Sequence, residues 1–164
     1  MNSVLDIFHP SIATWFIEQV GEPADVQNQA WPKISDGDHV LITAPTGRGK
    51  TLASFLWAIN QLATGAIESG VTRVLYVSPL KALNNDIQRN LLTPIAELVK
   101  QFARDGAEFP EIRVMTRSGD TAANDRRKML AHPPEILITT PESLNILLSS
   151  KGGRSILNDL KTVV

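Results

Sequence analysis

Residues 39–51, His-Val-Leu-Ile-Thr-Ala-Pro-Thr-Gly-Arg-Gly-Lys-Thr, constrain this chain more than any other stretch. An apolar run reads as a buried strand over 39–43 and enters a loop with two glycines. Lys50-Thr51 then open a segment whose Leu52, Phe55, Leu56, Ile59 and Leu62 share one helical stripe. A strand that turns through glycine into a helix gathers backbone N–H groups and a helix N-terminus at one point, which suits an anion. The order Ala44-Pro-Thr-Gly-Arg-Gly-Lys-Thr keeps the G-x-x-x-x-G-K-[ST] spacing of a phosphate loop except at its first position. In such a loop Lys50 neutralises β/γ-phosphate charge and the Thr51 hydroxyl reaches Mg²⁺. The amides from Gly47 to Thr51 line the anion hole, Gly47 and Gly49 permit close backbone approach, and Thr46 completes the turn. Arg48 stands where a small residue is usual, and both solvent and phosphate are open to its guanidinium.

The rest of the chain alternates between the two periodicities. Helices are predicted over 11–20, with Ile12, Trp15, Phe16 and Ile17 on the apolar face, and over 26–34, ended or kinked around Pro32. Strands are predicted at 72–78, 112–116, 135–139 and 160–164. Between them lie a helical stretch over 81–104 interrupted by Pro94, a helix over 122–131 with Asp120 as candidate cap, and a helix from Pro141 to Leu148. Strands alternating with helices imply an α/β fold, a parallel sheet with helices on both faces. No repeat, low-complexity tract or interdomain linker breaks the 164 residues.

Composition mostly excludes. With no cysteine there is no disulfide framework, thiol nucleophile or Cys-ligated zinc. A net charge of −1 gives no bulk attraction to nucleic acid, so any such contact has to rest on placed residues. No basic, then apolar leader opens the chain and no run reaches the roughly 18–20 apolar residues of a membrane span, so the expectation is a cytoplasmic protein without membrane contact.

Five segments in order resemble a known family. Ala44 followed by Pro-Thr-Gly is similar to motif I of superfamily 2 helicases. Upstream, Glu22-Pro23-Ala24-Asp25-Val26-Gln27 with Ala30-Trp31-Pro32 resembles the Q motif, with Ala24 where that motif has threonine. Downstream, Ser78-Pro79-Leu80-Lys81-Ala82-Leu83-Asn84-Asn85-Asp86 resembles motif Ia in the form of the Lhr (large helicase-related) family. Arg117-Ser118-Gly119-Asp120-Thr121 is similar to that family's T-G-D-T element, and residues 135–144, ending Thr-Thr-Pro-Glu-Ser-Leu, to motif Ib. Taken singly the later segments also fit ordinary turns and helix starts; together they follow the family's order.

The resemblance implies a P-loop NTPase with an incomplete RecA-like helicase domain over 39–164, preceded by N-terminal helices over 1–38. It implies ATP and Mg²⁺ as cofactors, with Gln27 reading the adenine edge and Thr46, Gly47, Arg48, Gly49, Lys50 and Thr51 on the phosphates. Single-stranded DNA is the implied partner, through Pro79, Lys81, Thr121, Thr140 and Ser143, together with the remainder of a helicase chain. An RNA-directed helicase of the same superfamily and a non-catalytic binding module stay open as alternatives, and a role in DNA repair rests on analogy alone. Motifs Ia, T-G-D-T and Ib all follow strand ends, where open α/β sheets place ligands. Arg126-Arg127-Lys128 reads as a solvated helix face in preference to the alternative, a contact to the nucleic-acid strand.

Superfamily 2 hydrolysis needs the Asp-Glu-x-His of motif II at a strand end. Residues 160–164 resemble the strand before it, and Asp-Glu-x-His does not occur in the chain. The expectation is phosphate binding without efficient hydrolysis or unwinding, in a fragment whose sheet lacks the motif III strand at its centre.

Overall fold

In the computed structural model of the chain, residues 3–45, 49–79 and 87–164 are described. They form two compact units, one from residues 1–64 and 88–110, the other from 65–87 and 111–164.

The first unit is helical. A 3₁₀ turn at Val4–Ile7 leads into α1 (Pro10–Gln19), whose start is fixed twice over. Pro10 supplies a preset φ, and His9 Nδ1 accepts from the Ser11 N–H at 3.2 Å. Helix α2 (Asp25–Ser35), α3 (Lys50–Ala63) and α4 (Thr93–Arg104) complete the unit, with a π-helical turn at Gln88–Leu92 before α4. Pro94 lies directly after the π-helical turn, where the helical stretch changes pitch without ending, since the first turn of α4 needs no N–H from it. Pro32 does not end α2 either; the helix runs three residues past it to Ser35.

The unit's core is aromatic. Phe8 and Phe16 meet the fully buried Trp31 edge-on at 4.9 and 5.4 Å, and the Trp31 indole donates to the Ala53 carbonyl at 3.0 Å. That bond ties α2 to α3. Ile12, Trp15 and Phe16 are buried as the periodicity predicts, but Ile17 is half exposed because it lies one step off the face that α1 turns to α4.

The second unit holds the sheet. Strands β1 (Val74–Val77), β2 (Val114–Arg117), β3 (Ile136–Thr139) and β4 (Thr162–Val163) are all parallel, in the order β2-β3-β1-β4. All four residues of β3 are buried, as expected of an inner strand of a parallel sheet. Leu75 and Leu137 pack against Met129 of α5 (Ala123–Ala131), Leu147 of α6 (Pro141–Ser149) and Ile156 of α7 (Lys151–Ile156). Helix α7 begins Lys-Gly-Gly, which reads as a breaker. A Cβ on Gly153 would lie 2.2 Å from the Leu147 carbonyl oxygen, so the close approach of α7 to α6 requires glycine there.

Four of the five predicted strands are present, and one is not. Residues 39–45 carry no strand, and Leu41, placed by the sequence in a buried strand, is 90% exposed. A strand satisfies its backbone groups only through a neighbour. Among the described residues no ladder pairs with 39–45, so nothing holds this run in a strand. Asp120 is likewise not a cap: Ala122 holds that position of α5, without a side-chain hydrogen bond.

Candidate functional site

The phosphate-loop half of the site lies in the helical unit. Gly49 is the N-cap of α3, with φ +78°, a left-handed conformation that favours glycine. Gly49 has no side chain with which to cap α3, and among the described residues no side-chain acceptor claims its first amides. Lys50 turns back from the first position of the helix and donates through Nζ to the carbonyls of Ala44 and Pro45, the latter at 2.9 Å. An ammonium satisfied by two carbonyls, beside an uncapped helix start, has the donor set for a polyanionic phosphate chain. Thr51 follows Lys50 in the first turn and is partly accessible. Thr46, Gly47 and Arg48 lie outside the described residues.

Gln27 binds this loop to α2. Its Oε1 accepts from the Ala24 N–H at 2.9 Å, and its Nε2 donates to the Gly49 carbonyl at 3.4 Å. The side chain thus caps its own helix while touching the turn that starts the next. The Ala24 methyl cannot return the bond that a threonine hydroxyl would make, so the capping box is half formed. Gln27 is only 2% exposed. A cavity of about 930 Å³ opens alongside, walled by Pro23–Val26 and Lys33 of the α2 region and by residues 38–45.

The other candidates lie in the sheet unit. The ladders pair Val77 with Thr139 and Arg117 with Thr139, so β1, β2 and β3 end together along one edge. Pro79 stands exposed just past β1, and Lys81 falls outside the described residues. After β2, the Thr121 hydroxyl accepts from the Ser118 N–H at 2.9 Å and closes a turn over residues 118–121. After β3, Thr140 caps α6 by accepting from the Ser143 N–H at 3.3 Å. Thr140 and Ser143 are 1% and 3% exposed, so their first role is to build the strand-to-helix corner.

The structure brings two arginines to this edge, one of them set aside in the sequence as part of a solvated face. Arg117 ends β2, only 8% exposed. Arg126, expected on a solvated face, folds back along α5 so that its terminal nitrogen donates to the Gly119 carbonyl at 2.7 Å. Its Nε is buried without a hydrogen-bond partner among the described residues. Arg127 and Lys128 are exposed as expected, and Lys128 pairs with Asp125 at 3.9 Å. Side chains on a helix point toward its N-terminus, so a residue in the first turn of α5 can reach the preceding loop. That rule was the available signal for Arg126; Arg117 offered none.

The opposite, N-terminal edge carries the structural charges. Buried Glu135 accepts from the Gly70 N–H at 2.7 Å, the Arg113 N–H at 2.8 Å and the Arg113 guanidinium at 3.1 Å. Burial pushes its carboxyl up, but the Arg113 side chain and the two amides outweigh that and hold it below the ordinary carboxylate range. Buried Arg73 reaches Glu68 and Asp159. Among the described residues no group of His, Asp and Glu could hold a metal, and no helix is long and apolar enough to cross a membrane.

A glycine turn feeding an uncapped helix with a lysine at its start, and a parallel α/β sheet with loops gathered on one edge, define a P-loop NTPase of the RecA-like class. Residues 24–164 match the DEAD/DEAH box helicase family, and the chain belongs to that family. It is 51% identical over 92% of its length to the Lhr helicase/probable uracil glycosylase of Mycolicibacterium smegmatis, of which it covers 10%. Against the Lhr helicase/uracil glycosylase of Escherichia coli the identity is 41%, over 97% of this chain and 11% of the other. The solved structure of the Mycobacterium smegmatis helicase Lhr bound to ssDNA and AMP-PNP superposes with a TM-score of 0.90 at 47% identity, covering 99% of this chain and 20% of that one. The chain thus spans about a tenth of the length of these two curated relatives.

Proposed function

We propose that this chain is the first ATP-binding part of an Lhr-type, ATP-dependent DNA helicase. It holds the nucleotide phosphates at the start of α3 and single-stranded DNA along the C-terminal edge of β1, β2 and β3. The observation that carries the nucleotide half is the Lys50 ammonium at the start of α3, engaged among the described residues by the Ala44 and Pro45 carbonyls. Phosphate oxygens are stronger acceptors for an ammonium than neutral carbonyls, so Lys50 exchanges one set for the other. The Thr51 hydroxyl is the Mg²⁺ ligand, and the ion neutralises charge on the phosphates. Gln27 uses one donor and one acceptor of its amide on protein, and the rest serves the adenine edge.

The strand half is supported by three loops ending at one sheet edge and by the relative solved with ssDNA and AMP-PNP. Pro79, Lys81, Thr121, Thr140 and Ser143 belong to those loops, where hydroxyls and amides grip sugar and phosphate without reading bases. No residue of this chain is assigned the general-base role. The test is titration with AMP-PNP and Mg²⁺, with and without an oligothymidylate. Wild type should bind both and Lys50→Ala only the oligonucleotide; equal nucleotide affinity in the two would overturn the assignment. Competition between DNA and RNA oligonucleotides separates the DNA from the RNA function.

A further inference from the structure

We propose that Arg117, Arg126 and the turn over residues 118–121 form a seat for one phosphodiester group of a single-stranded nucleic acid. The seat adds the side chains of Arg117 and Arg126 to the Thr121 turn already named, and it rests on the strand-binding function proposed for that edge.

The charges of the sheet unit supply the contrast. At the N-terminal edge each deeply buried charge has a partner of opposite sign: Arg73 has Glu68 and Asp159, and Glu135 has Arg113. At the C-terminal edge the rule breaks. Arg117 is as buried as Arg73, each 8% exposed, yet among the described residues no carboxylate lies within ion-pairing distance of Arg117 or Arg126. Each is instead the other's neighbour. Burial first and Arg126 second lower the Arg117 pKa from the ordinary arginine value.

Holding two like cations together, one of them largely out of water, is unfavourable unless an anion joins them. Guanidinium forks match the tetrahedral oxygens of a phosphate and stay charged at any working pH. The Nε of Arg126 is a buried donor with no acceptor among the described residues, the kind of group that calls for a partner. The surroundings are set for one. Arg126 is anchored on the Gly119 carbonyl, the Ser118 N–H is fixed on Thr121, and nothing lies within 4 Å of where a Gly119 Cβ would stand, so the turn is open to approach. The position also fits a chain laid along the sheet edge, since the Arg117 carbonyl accepts from the Thr139 hydroxyl at 2.9 Å, next to Thr140 of motif Ib.

The test is the salt dependence of binding to a fluorescent oligothymidylate. Arg117→Gln and Arg126→Gln should each weaken binding about five- to tenfold and flatten the log–log salt slope by roughly 0.7, the loss of one phosphate contact on a single strand. Arg127→Gln, on the exposed face of the same helix, should change the slope little, and AMP-PNP affinity should hold throughout. Slopes unchanged in both Arg117→Gln and Arg126→Gln would overturn the seat; if Arg117→Gln does not fold, Arg126→Gln decides. Should wild type bind no oligonucleotide, the strand function fails on its own, and sulfate then tests the seat. A thermal midpoint raised by sulfate over chloride at equal ionic strength in wild type but not in Arg126→Gln supports an oxyanion seat. An equal rise in both overturns it.

Discussion

The side chain of Gln27 joins the starts of α2 and α3: its Nε2 donates to the carbonyl of Gly49, 22 residues further on, while its Oε1 accepts from the Ala24 N–H. The contact is tight, because a Cβ on Gly49 would fall 2.6 Å from Gln27 Nε2. Gly49→Ala therefore meets both an unfavourable φ of +78° and a collision. It should lower stability by about 1–2 kcal/mol in urea titration and weaken AMP-PNP binding, whereas Gln27→Ala should lose about 1 kcal/mol through the cap alone.

Lys50→Ala removes a partly exposed ammonium that makes two carbonyl contacts, so folding should change by less than about 1 kcal/mol. Nucleotide affinity should fall roughly 30- to 100-fold, the worth of a charge-assisted contact to phosphate. Calorimetric titration with AMP-PNP beside a urea curve separates the two effects.

Glu135 makes acid stability measurable. Its folded pKa lies below the ordinary value of 4.5, so its contribution is fully present above that value and is lost as pH falls through the folded pKa. Stability should decline on acidification below about pH 4.5, and Glu135→Gln should flatten that decline. At neutral pH Glu135→Ala strands the Gly70 and Arg113 donors and should cost about 3 kcal/mol.

Trp31 and Leu41 are predicted to behave oppositely. Trp31→Ala empties the centre of the aromatic core and should cost about 3–5 kcal/mol. Leu41→Ala, at a position 90% exposed, should cost less than about 0.5 kcal/mol. A loss of several kcal/mol at Leu41 would restore the buried strand predicted from the sequence.

What the residue order determined by itself is local. The glycine loop, the lysine after it, the stripe of α3 and the apolar runs at β1, β2 and β3 follow from steric preference and hydrophobic period, which need no distant partner. Five motifs in order, each ordinary alone, carried the family. Tertiary structure decided what depends on neighbours. Val40, Leu41 and Ile42 form the same kind of apolar run as Val74 and Leu75, but the latter pair with β3 and β4 while 39–45 has no ladder among the described residues. The fate of Arg126 was decided the same way. A guanidinium in a run of three basic residues looks solvated until the backbone sets it over the Gly119 turn, beside the arginine that ends β2. Strand pairing and charge neighbourhoods join residues far apart in the chain, and only the folded chain brings them within reach.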